Sequence, residues 1–430
     1  MTEPQALAED GASPTVPAGQ TPGTVRRTFL SLRTRNFRLF FIGQLVSNTG
    51  NWLTNLALTL LVLHLTNSGF AVGLLTACQY GPILVLSAWG GAIADRSNKR
   101  NLLFVTQGLE MAESFVLAAL AFSHHPPLAA LFVTAAVGGT LLAFDNPLRR
   151  SFVTEMVPHE DVPNAVILYS AIVNTSRIFG PALAGVLVVT LGYGWCFSID
   201  GVSYLFVLGA LWMMRPAELR RVPVPEKAKG EVRAGLRYIA TMPNLWIPFV
   251  MLAVVGIFGY NFNVVFPLLV ERGLGGTDGT FTLIYTVFSA GALVSALVAA
   301  HYDLVHVRHI IVGSAAFGAA LMVLSVVPNV GFAFPVVFLV GVTSILYMTA
   351  TTAIVQVEAD PAMHGRILGL QTVLMIGTAP IGGPILGAIA DAYGARAPVV
   401  IGGVASIAAA GWGLVAIRRV GRRVSPSPSD

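Results

Sequence analysis

Apolar stretches of about 20 residues, long enough to cross a hydrocarbon core of about 30 Å as an α-helix, recur along almost the whole chain. Because that core holds no water, the backbone must pair its own polar groups, which favours helices. The sequence lacks the roughly ten-residue alternating segments of a membrane β-barrel. The pattern therefore predicts an all-α membrane protein of about twelve spans, at 37–64, 71–94, 101–122, 128–148, 162–190, 193–214, 245–269, 280–301, 310–328, 331–355, 366–390 and 398–417.

One long connection divides this pattern into six spans and six spans. Residues 215–243 hold seven basic residues, four prolines and a helical-looking stretch from Glu231 to Ile239. The first 28 residues are rich in Pro, Gly, Thr and Ala and have no apolar core, which is typical of a disordered tail. The predicted domains are a cytoplasmic tail over 1–28, a six-helix bundle over 29–214, a cytoplasmic linker over 215–243, a second bundle over 244–417 and a tail over 418–430.

The composition places most of the chain in lipid and the charges give it an orientation. Hydrophobic residues make up 55% and charged residues only 11%, whereas a soluble domain carries roughly 25% charged residues. With the N-terminus inside, the cytoplasmic segments hold 23 of the 26 Lys and Arg residues, and the outer loops hold only Arg272 and Arg396. This asymmetry predicts a multi-pass cell-membrane protein with both termini in the cytoplasm. The basic inner surface favours contact with membrane lipids and not with nucleic acid.

The two halves carry related signals. Gly180-Pro181 in the fifth span and Gly383-Pro384 in the eleventh lie 203 residues apart, and each follows an earlier proline at the same spacing. Internal repeats are typical of secondary transporters, whose substrate site lies near the midplane between the repeats. Proline bends a helix, and small residues such as Gly180 and Gly185 let another helix approach closely. We therefore predict helix bends at both glycine–proline pairs.

The inner end of the second span reads Gly91-Ala-Ile-Ala-Asp95-Arg96-Ser-Asn-Lys99-Arg100. A carboxylate at a helix C-terminus opposes the helix dipole, so Asp95 is better placed against another helix N-terminus or an arginine. The stretch resembles the signature of the major facilitator superfamily, Gly-x-x-x-Asp-Arg-x-Gly-Arg-Lys, with Asn98 in place of the second glycine. That resemblance implies a cytoplasmic gate in which Asp95 meets the start of the eleventh span near Gly365 and Arg366. A tight basic turn is the alternative.

A second part of this gate is expected near the inner surface, at Asp145 and Arg149 around the end of the fourth span, although a solvated turn explains them as well. The full predicted gate comprises Gly91, Asp95, Arg96, Lys99, Arg100, Asp145, Arg149 and Arg366.

Further matches cover about residues 33–415, among them Arg35-Asn-Phe-Arg38, Arg177-Ile-Phe-Gly180-Pro181 and Phe197-Ser-Ile-Asp200. Together they are similar to the branch that contains the enterobactin exporter and the macrolide-efflux permeases, the third drug:proton antiporter group. The resemblance implies two pseudo-symmetric six-helix bundles and an antiporter motif at Gly180-Pro181. Members of that group often have an acid where this chain has Asn51, so no proton role is expected there.

The first span carries four amides at steps of four, three and four residues, which places them on one helical stripe. Amides that face lipid are costly, so the stripe is expected to face protein or a wet cavity. The resemblance implies that the first, fourth, seventh and tenth spans surround the central cavity. Hydrogen bonding between helices is the alternative for each cavity residue. The predicted substrate cavity comprises Gln44, Asn48, Asn51, Asn55, Thr134, Tyr260, Asn261, Asn263, Thr343, Tyr347 and Thr351.

Three acids and one base lie inside the predicted spans, roughly 14–21 Å from their cytoplasmic ends. They are Glu110, Glu113, Asp200 and Arg177. Arg177 can neutralise only one acid, and an unpaired carboxylate in a low dielectric takes up a proton rather than stay charged. We predict proton coupling at these four residues, with Arg177 paired to Asp200 or Glu113. A static ion pair with the spare acids hydrogen-bonded is the alternative.

No Walker loop, nucleophile elbow, zinc-binding helix or dinucleotide fingerprint occurs, which disfavours an enzyme or an ATP-driven pump. We expect no cofactor and no metal. The favoured interpretation is a monomeric major facilitator transporter that exchanges protons for a small, partly apolar organic compound, such as a drug, a siderophore or a secondary metabolite. Two alternatives stay open: nutrient uptake by proton symport, and a sensor or assembly protein that does not transport.

Overall fold

The computed structural model describes residues 29–123, 125–220, 231–299, 306–360 and 363–424. The predicted tail over 1–28 lies outside the described residues. Three short 3₁₀ helices lie at Leu30–Arg33, His159–Asp161 and Pro216–Glu218. The first bundle consists of α1 (Arg35–Thr66), α2 (Gly69–Arg96), α3 (Lys99–Phe122), α4 (Leu128–Glu155), α5 (Val162–Leu191) and α6 (Tyr193–Met213).

The second half begins with α7 (Glu231–Thr241), the helix predicted in the linker, and then α8 (Pro243–Phe258). The further helices are α9 (Phe262–Leu268), extended by a π turn over Leu269–Gly273, α10 (Asp278–Ala299), α11 (Val307–Ser325), α12 (Val330–Glu358), α13 (His364–Gly377), α14 (Ala379–Tyr393) and α15 (Ala397–Val424). The last helix continues beyond residue 417, where the second bundle was predicted to end.

In the described ranges, eleven helical segments are long and apolar enough to cross a membrane. The 32-residue α1 is not among them, although its length suffices. The four amides of its polar stripe lower its mean hydropathy. With α1 included, the architecture is consistent with the predicted twelve spans.

Two spans are interrupted where the apolar pattern runs on without a break. The seventh span stops at Phe258 and resumes at Phe262, and the Asn261 side chain donates to the carbonyl of Ile257 at 2.7 Å across the gap. The eleventh span is interrupted at Thr378, just before Pro380, whose ring has no N–H to continue the ladder. The proline predicted to bend this span, Pro384, lies inside α14, and Pro181 lies inside the continuous α5.

The halves meet through α2 against α14 and α5 against α10. Glycine makes the first contact possible, because a Cβ on Gly73 would lie 2.3 Å from the Gly383 carbonyl oxygen, and one on Gly387 would lie 2.0 Å from that of Gly69. Small residues allow such direct backbone packing. These contacts lie at the outer ends of the helices under the orientation given by the charges.

The inner ends are separated by a cleft of about 430 Å³. Its walls come from both halves: Asn146, Pro147 and Arg150 lie on one side, and Arg366 and Leu370 on the other. The described conformation is therefore closed towards the outside and open towards the cytoplasm.

We expect Gly73→Ala to push α2 and α14 apart, because its methyl group would collide with the Gly383 backbone. Spin labels at Leu65 and Tyr393, both exposed at the outer ends of α1 and α14, will report a longer distance by double electron–electron resonance.

Gly81→Ala is the matched control, since nothing lies within 4 Å of a Cβ at that position on the same helix. Both variants are made after Cys78 and Cys196 are replaced by alanine. A distance distribution equal to that of the control would show that close packing here does not hold the outer side shut.

Candidate functional site

The four amides on the α1 stripe face two different regions of the protein. Asn48 donates to the Gln44 side chain at 3.0 Å, and Gln44 in turn accepts from Arg149 at 3.1 Å, so these two amides face the interior of the first bundle. Asn51 and Asn55, further along, line a small cavity. A role in the substrate cavity therefore remains a proposal for Asn51 and Asn55, and no longer for Gln44 and Asn48.

Arg149 is the centre of a buried charge cluster. Its guanidinium lies 3.0 Å from Glu110 on α3 and contacts Asp145 one turn earlier on α4. Gln107 donates to both carboxylates, at 2.8 and 2.9 Å. All three charged residues are at most 3% exposed. Asp145 and Arg149 were predicted to lie near the inner surface; instead α4 continues to Glu155 and carries both into the bundle. The described hydrogen bonds and ion pairs of these two side chains are all with residues of the first half.

The predicted pairing of Arg177 with Asp200 or Glu113 is wrong. Asp200 accepts from the hydroxyls of Thr54 at 2.6 Å and Ser114 at 2.9 Å. Among the described residues, no carboxylate lies within salt-bridge distance of Arg177. Helix rise gives depth but not the direction in which a side chain points, so similar depth did not bring Arg177 into contact with these acids.

Glu113 fits against α4 where the chain has no side chain, since a Cβ on Gly138 would lie 2.6 Å from its Oε1. A cavity of about 90 Å³ joins the acids inside the first bundle. Among the three acids that line this cavity, the described ion pairs of Arg149 include only Glu110. The cavity is lined by Asn51, Thr54, Asn55, Leu58, Gln79, Tyr80, Glu110, Glu113, Ala135, Gly138, Gly139, Leu142, Asp200 and Tyr204.

An amide–phenol bridge connects this cavity to the second half. The phenolic oxygen of Tyr80 on α2 accepts from Asn55 at 3.4 Å and from Asn263 at 3.5 Å. Tyr285 on α10 donates to the other end of the Asn263 amide at 2.9 Å. The bridge therefore crosses between the halves next to the acids.

Most of the other predicted cavity residues donate hydrogen bonds to backbone carbonyl groups. The hydroxyls of Thr134, Thr343 and Thr351 donate to carbonyls of their own helices, four residues earlier. Asn261 donates to the Ile257 carbonyl across the break in the seventh span. Tyr260 donates to the carbonyl of Ser344, and Tyr347 is fully buried beside it.

A latch that the sequence analysis missed closes the outer side. Asp391, at the end of α14, accepts from the backbone N–H groups of Gly69 and Phe70 and from the Ser68 hydroxyl, at 2.7–2.9 Å. Arg272 adds an ion pair to Asp391 at 2.7 Å. A carboxylate at a helix N-terminus is stabilised by the dipole and by unpaired N–H groups. Asp391 thus fastens the second half to the start of α2.

The signal for this latch was present in the sequence. The pentapeptide Gly-Ala-Ile-Ala-Asp occurs twice, ending at Asp95 on α2 and at Asp391 on α14. Inverted repeats within each half make the second and eleventh spans of this fold counterparts of opposite orientation. The side chain of Asp95 lies outside what the structure describes, as do its predicted gate contacts. Lys99 pairs with the buried Glu155 at 2.7 Å, and Arg100 donates to the Leu211 carbonyl at 2.8 Å, both within the first half.

A second group of polar contacts lies beside the latch. His64 on α1 contacts Tyr193, and Tyr193 donates to Asp278 at 2.6 Å. The ligand atoms of His64, Glu271 and Asp278 lie within 4.8 Å of one another, the spacing that a metal would need. These contacts also cross from the first half to the second and add to the outer closure.

Comparisons with known proteins agree with this architecture. A family model described as a transmembrane secretion effector matches residues 26–423. The staphyloferrin A transporter of Staphylococcus aureus is 24% identical over 379 residues, covering 86% of this chain and 93% of that protein. Macrolide efflux protein A of Streptococcus pyogenes is 21% identical over 373 residues, covering 83% and 90%. A bacterial homologue of the human lysosomal transporter Spinster, inward-facing and occupied, superposes with a TM-score of 0.73 at 15% identity, covering 92% of this chain and 99% of that one.

Arg149→Gln is expected to lower the free energy of unfolding by about 3–5 kcal/mol, because it leaves two buried carboxylates without their cation. Thermal unfolding in detergent measures the loss. Arg215→Gln is the control, since its pair with Glu218 is exposed and such pairs contribute about 0–1 kcal/mol. Equal melting temperatures for the two variants would contradict the structural role of the cluster.

Asp391→Asn is expected to open the outer side, because a neutral amide cannot satisfy two N–H groups, a hydroxyl and a guanidinium at once. Labels at Leu65 and Tyr393 will separate, and Arg272→Gln will give a smaller change in the same direction. Glu218→Gln, on the inner surface, is the control. No change in the outer distance for Asp391→Asn would rule out the latch.

Proposed function

Because the chain belongs to the transmembrane secretion effector family of the major facilitator superfamily, we propose that it exports a small, partly apolar organic compound by proton antiport. The superfamily, its efflux branch and the multi-pass membrane location are as predicted from the sequence. That macrolide efflux protein A is named for efflux favours export over the uptake alternative.

One observation carries the proposal: Glu113 and Asp200 share a buried cavity in which no described cation pairs with them. Charged carboxylates left unpaired in a low dielectric are costly, and protons remove that cost. The groups that face them from neighbouring helices are Glu110, Tyr80 of α2 and Tyr204 of α6, with Arg149 of α4 bound to Glu110. The two acids are therefore the proposed proton sites.

Antiport requires that cargo and protons exclude each other. Asn55 and Tyr80 line the acid cavity and also form the bridge to Asn263 in the second half. A cargo that enters from the inner cleft and displaces this bridge brings its own hydrogen-bond donors to the wall of the acid cavity. Glu113 and Asp200 are then stabilised either by hydrogen bonds from the cargo or by bound protons. The occluded transporter therefore carries either the cargo or the protons.

We expect inverted membrane vesicles with an acidified interior to accumulate a fluorescent rhodamine dye, and the ionophore nigericin to abolish accumulation by collapsing the pH gradient. Glu113→Gln with Asp200→Asn is expected to remove accumulation while downhill exchange continues, because the variant has no proton to exchange. Glu218→Gln is the control for an exposed acid.

Accumulation that persists without a pH gradient and survives Glu110→Gln, Glu113→Gln and Asp200→Asn alike would disprove proton antiport. A protein that binds dye without any flux would favour the sensor alternative instead.

A further inference from the structure

Arg177 is a cation that the proposed proton pathway does not use. It lies on α5, about 22 Å along the helix from its start at Val162, and is half-buried. Its Nε is enclosed and has no hydrogen-bond partner. Nor does its guanidinium stack on an aromatic ring in the described ranges. A guanidinium at this depth is costly unless something binds it.

The surroundings of Arg177 place it in the space between the halves. It lies within electrostatic range of the hydroxyls of Tyr80 on α2, Tyr260 at the break in the seventh span and Tyr285 on α10. One turn further along α5, a Cβ on Gly180 would lie 2.3 Å from that of Trp52. The Trp52 ring is 5.7 Å from that of Tyr285. Arg177 therefore faces an aromatic wall built from both halves.

The hydroxyl of Tyr80 can still donate a hydrogen bond. Its oxygen accepts from Asn55 and Asn263, and no bond in which it donates is formed within the described part of the chain. The Tyr285 hydroxyl, by contrast, donates its hydrogen bond to the Asn263 side chain. A phenol both accepts and donates, so the O–H of Tyr80 is a second donor on this wall beside the N–H groups of Arg177.

We propose that Arg177, assisted by Tyr80, binds a carboxylate of the cargo, so that the exported compound is an organic acid with an apolar or aromatic body. Carboxylates fit a guanidinium through two parallel hydrogen bonds. The aromatic wall of Trp52, Tyr260 and Tyr285 accommodates the rest of the molecule. This inference rests on the proposed function and names the substrate class of that site.

The anion site is separate from the proton site. Glu113 and Asp200 line the cavity inside the first bundle, whereas Arg177 is not among the residues that line it. A carboxylate on Arg177 therefore lies outside that cavity, and Tyr80, which lines the cavity, is shared by the two sites. The cargo that fits both has an acid at one end and hydrogen-bond donors at the other.

The test measures binding to the purified, full-length protein and needs no flux, so it can fail while antiport holds, or succeed while antiport fails. The probes are a rhodamine that carries a free benzoate and the methyl ester of the same dye, titrated by fluorescence anisotropy. Arg177→Gln is expected to weaken binding of the free acid about tenfold or more, equivalent to about 1.4 kcal/mol. The ester's affinity is expected to stay within about twofold of that of the unsubstituted protein, and Arg177→Lys to recover part of the acid's affinity.

Arg308→Gln removes the same charge from the exposed inner end of α11 and is the matched control. Thermal unfolding of Arg177→Gln is expected to be unchanged or shifted upwards, because no partner is lost. Equal weakening of acid and ester, no weakening of either, or failure of the unsubstituted protein to bind the acid would each overturn the proposal. Selective loss of the acid alone supports it.

Discussion

A charge inside the hydrocarbon region must be paired, hydrated or neutralised, and the first bundle contains all of the deep charges of the described chain. Arg149 is paired so fully with Glu110 and Asp145 that it acts as a structural anchor. Asp200 is held by hydroxyls alone, and Glu113 lies against a glycine. The second half contributes amides and phenols at this depth. The deep charges therefore lie in the first half, and the bridge through Tyr80 joins them to the amides and phenols of the second half.

The same constraint explains why the conformational contacts lie at helix ends. At the outer surface, water and backbone N–H groups stabilise carboxylates, so Asp391 can remain charged while it holds the start of α2. An equivalent ion pair at the midplane would cost too much to break in each transport cycle. Glycine packing at Gly73 and Gly383 brings the backbones close enough for the latch to reach.

The sequence predicted the spans, the halving and the family because these depend on length, composition and short motifs. It also predicted the acids of the proposed proton site, since an acid in an apolar stretch is visible in one dimension. It failed on the partner of those acids, because pairing depends on the rotation of each helix, and because Arg149 was assigned to a loop that is in fact part of α4. It also left open which half of the α1 stripe faces the cavity, which depends on where Arg149 points. The break at Thr378 was missed although Pro380 marks it.

The two copies of Gly-Ala-Ile-Ala-Asp suggest how one helix can take part in both gates. The 28-residue α2 is about 42 Å long, and its outer end is held by Asp391 while its inner end carries Asp95. Near the middle, a Cβ on Gly377 would lie 2.2 Å from the Leu84 side chain, so the eleventh span also touches α2 there. Because the eleventh span is interrupted at Thr378 and α2 contains Pro82, the two can meet at the outer end and the middle while their inner ends stay apart at the cleft. On the gate role that the superfamily signature implies for Asp95, closing the inner end would bring Asp95 to the eleventh span, in the way that Asp391 meets the start of α2 at the outer end.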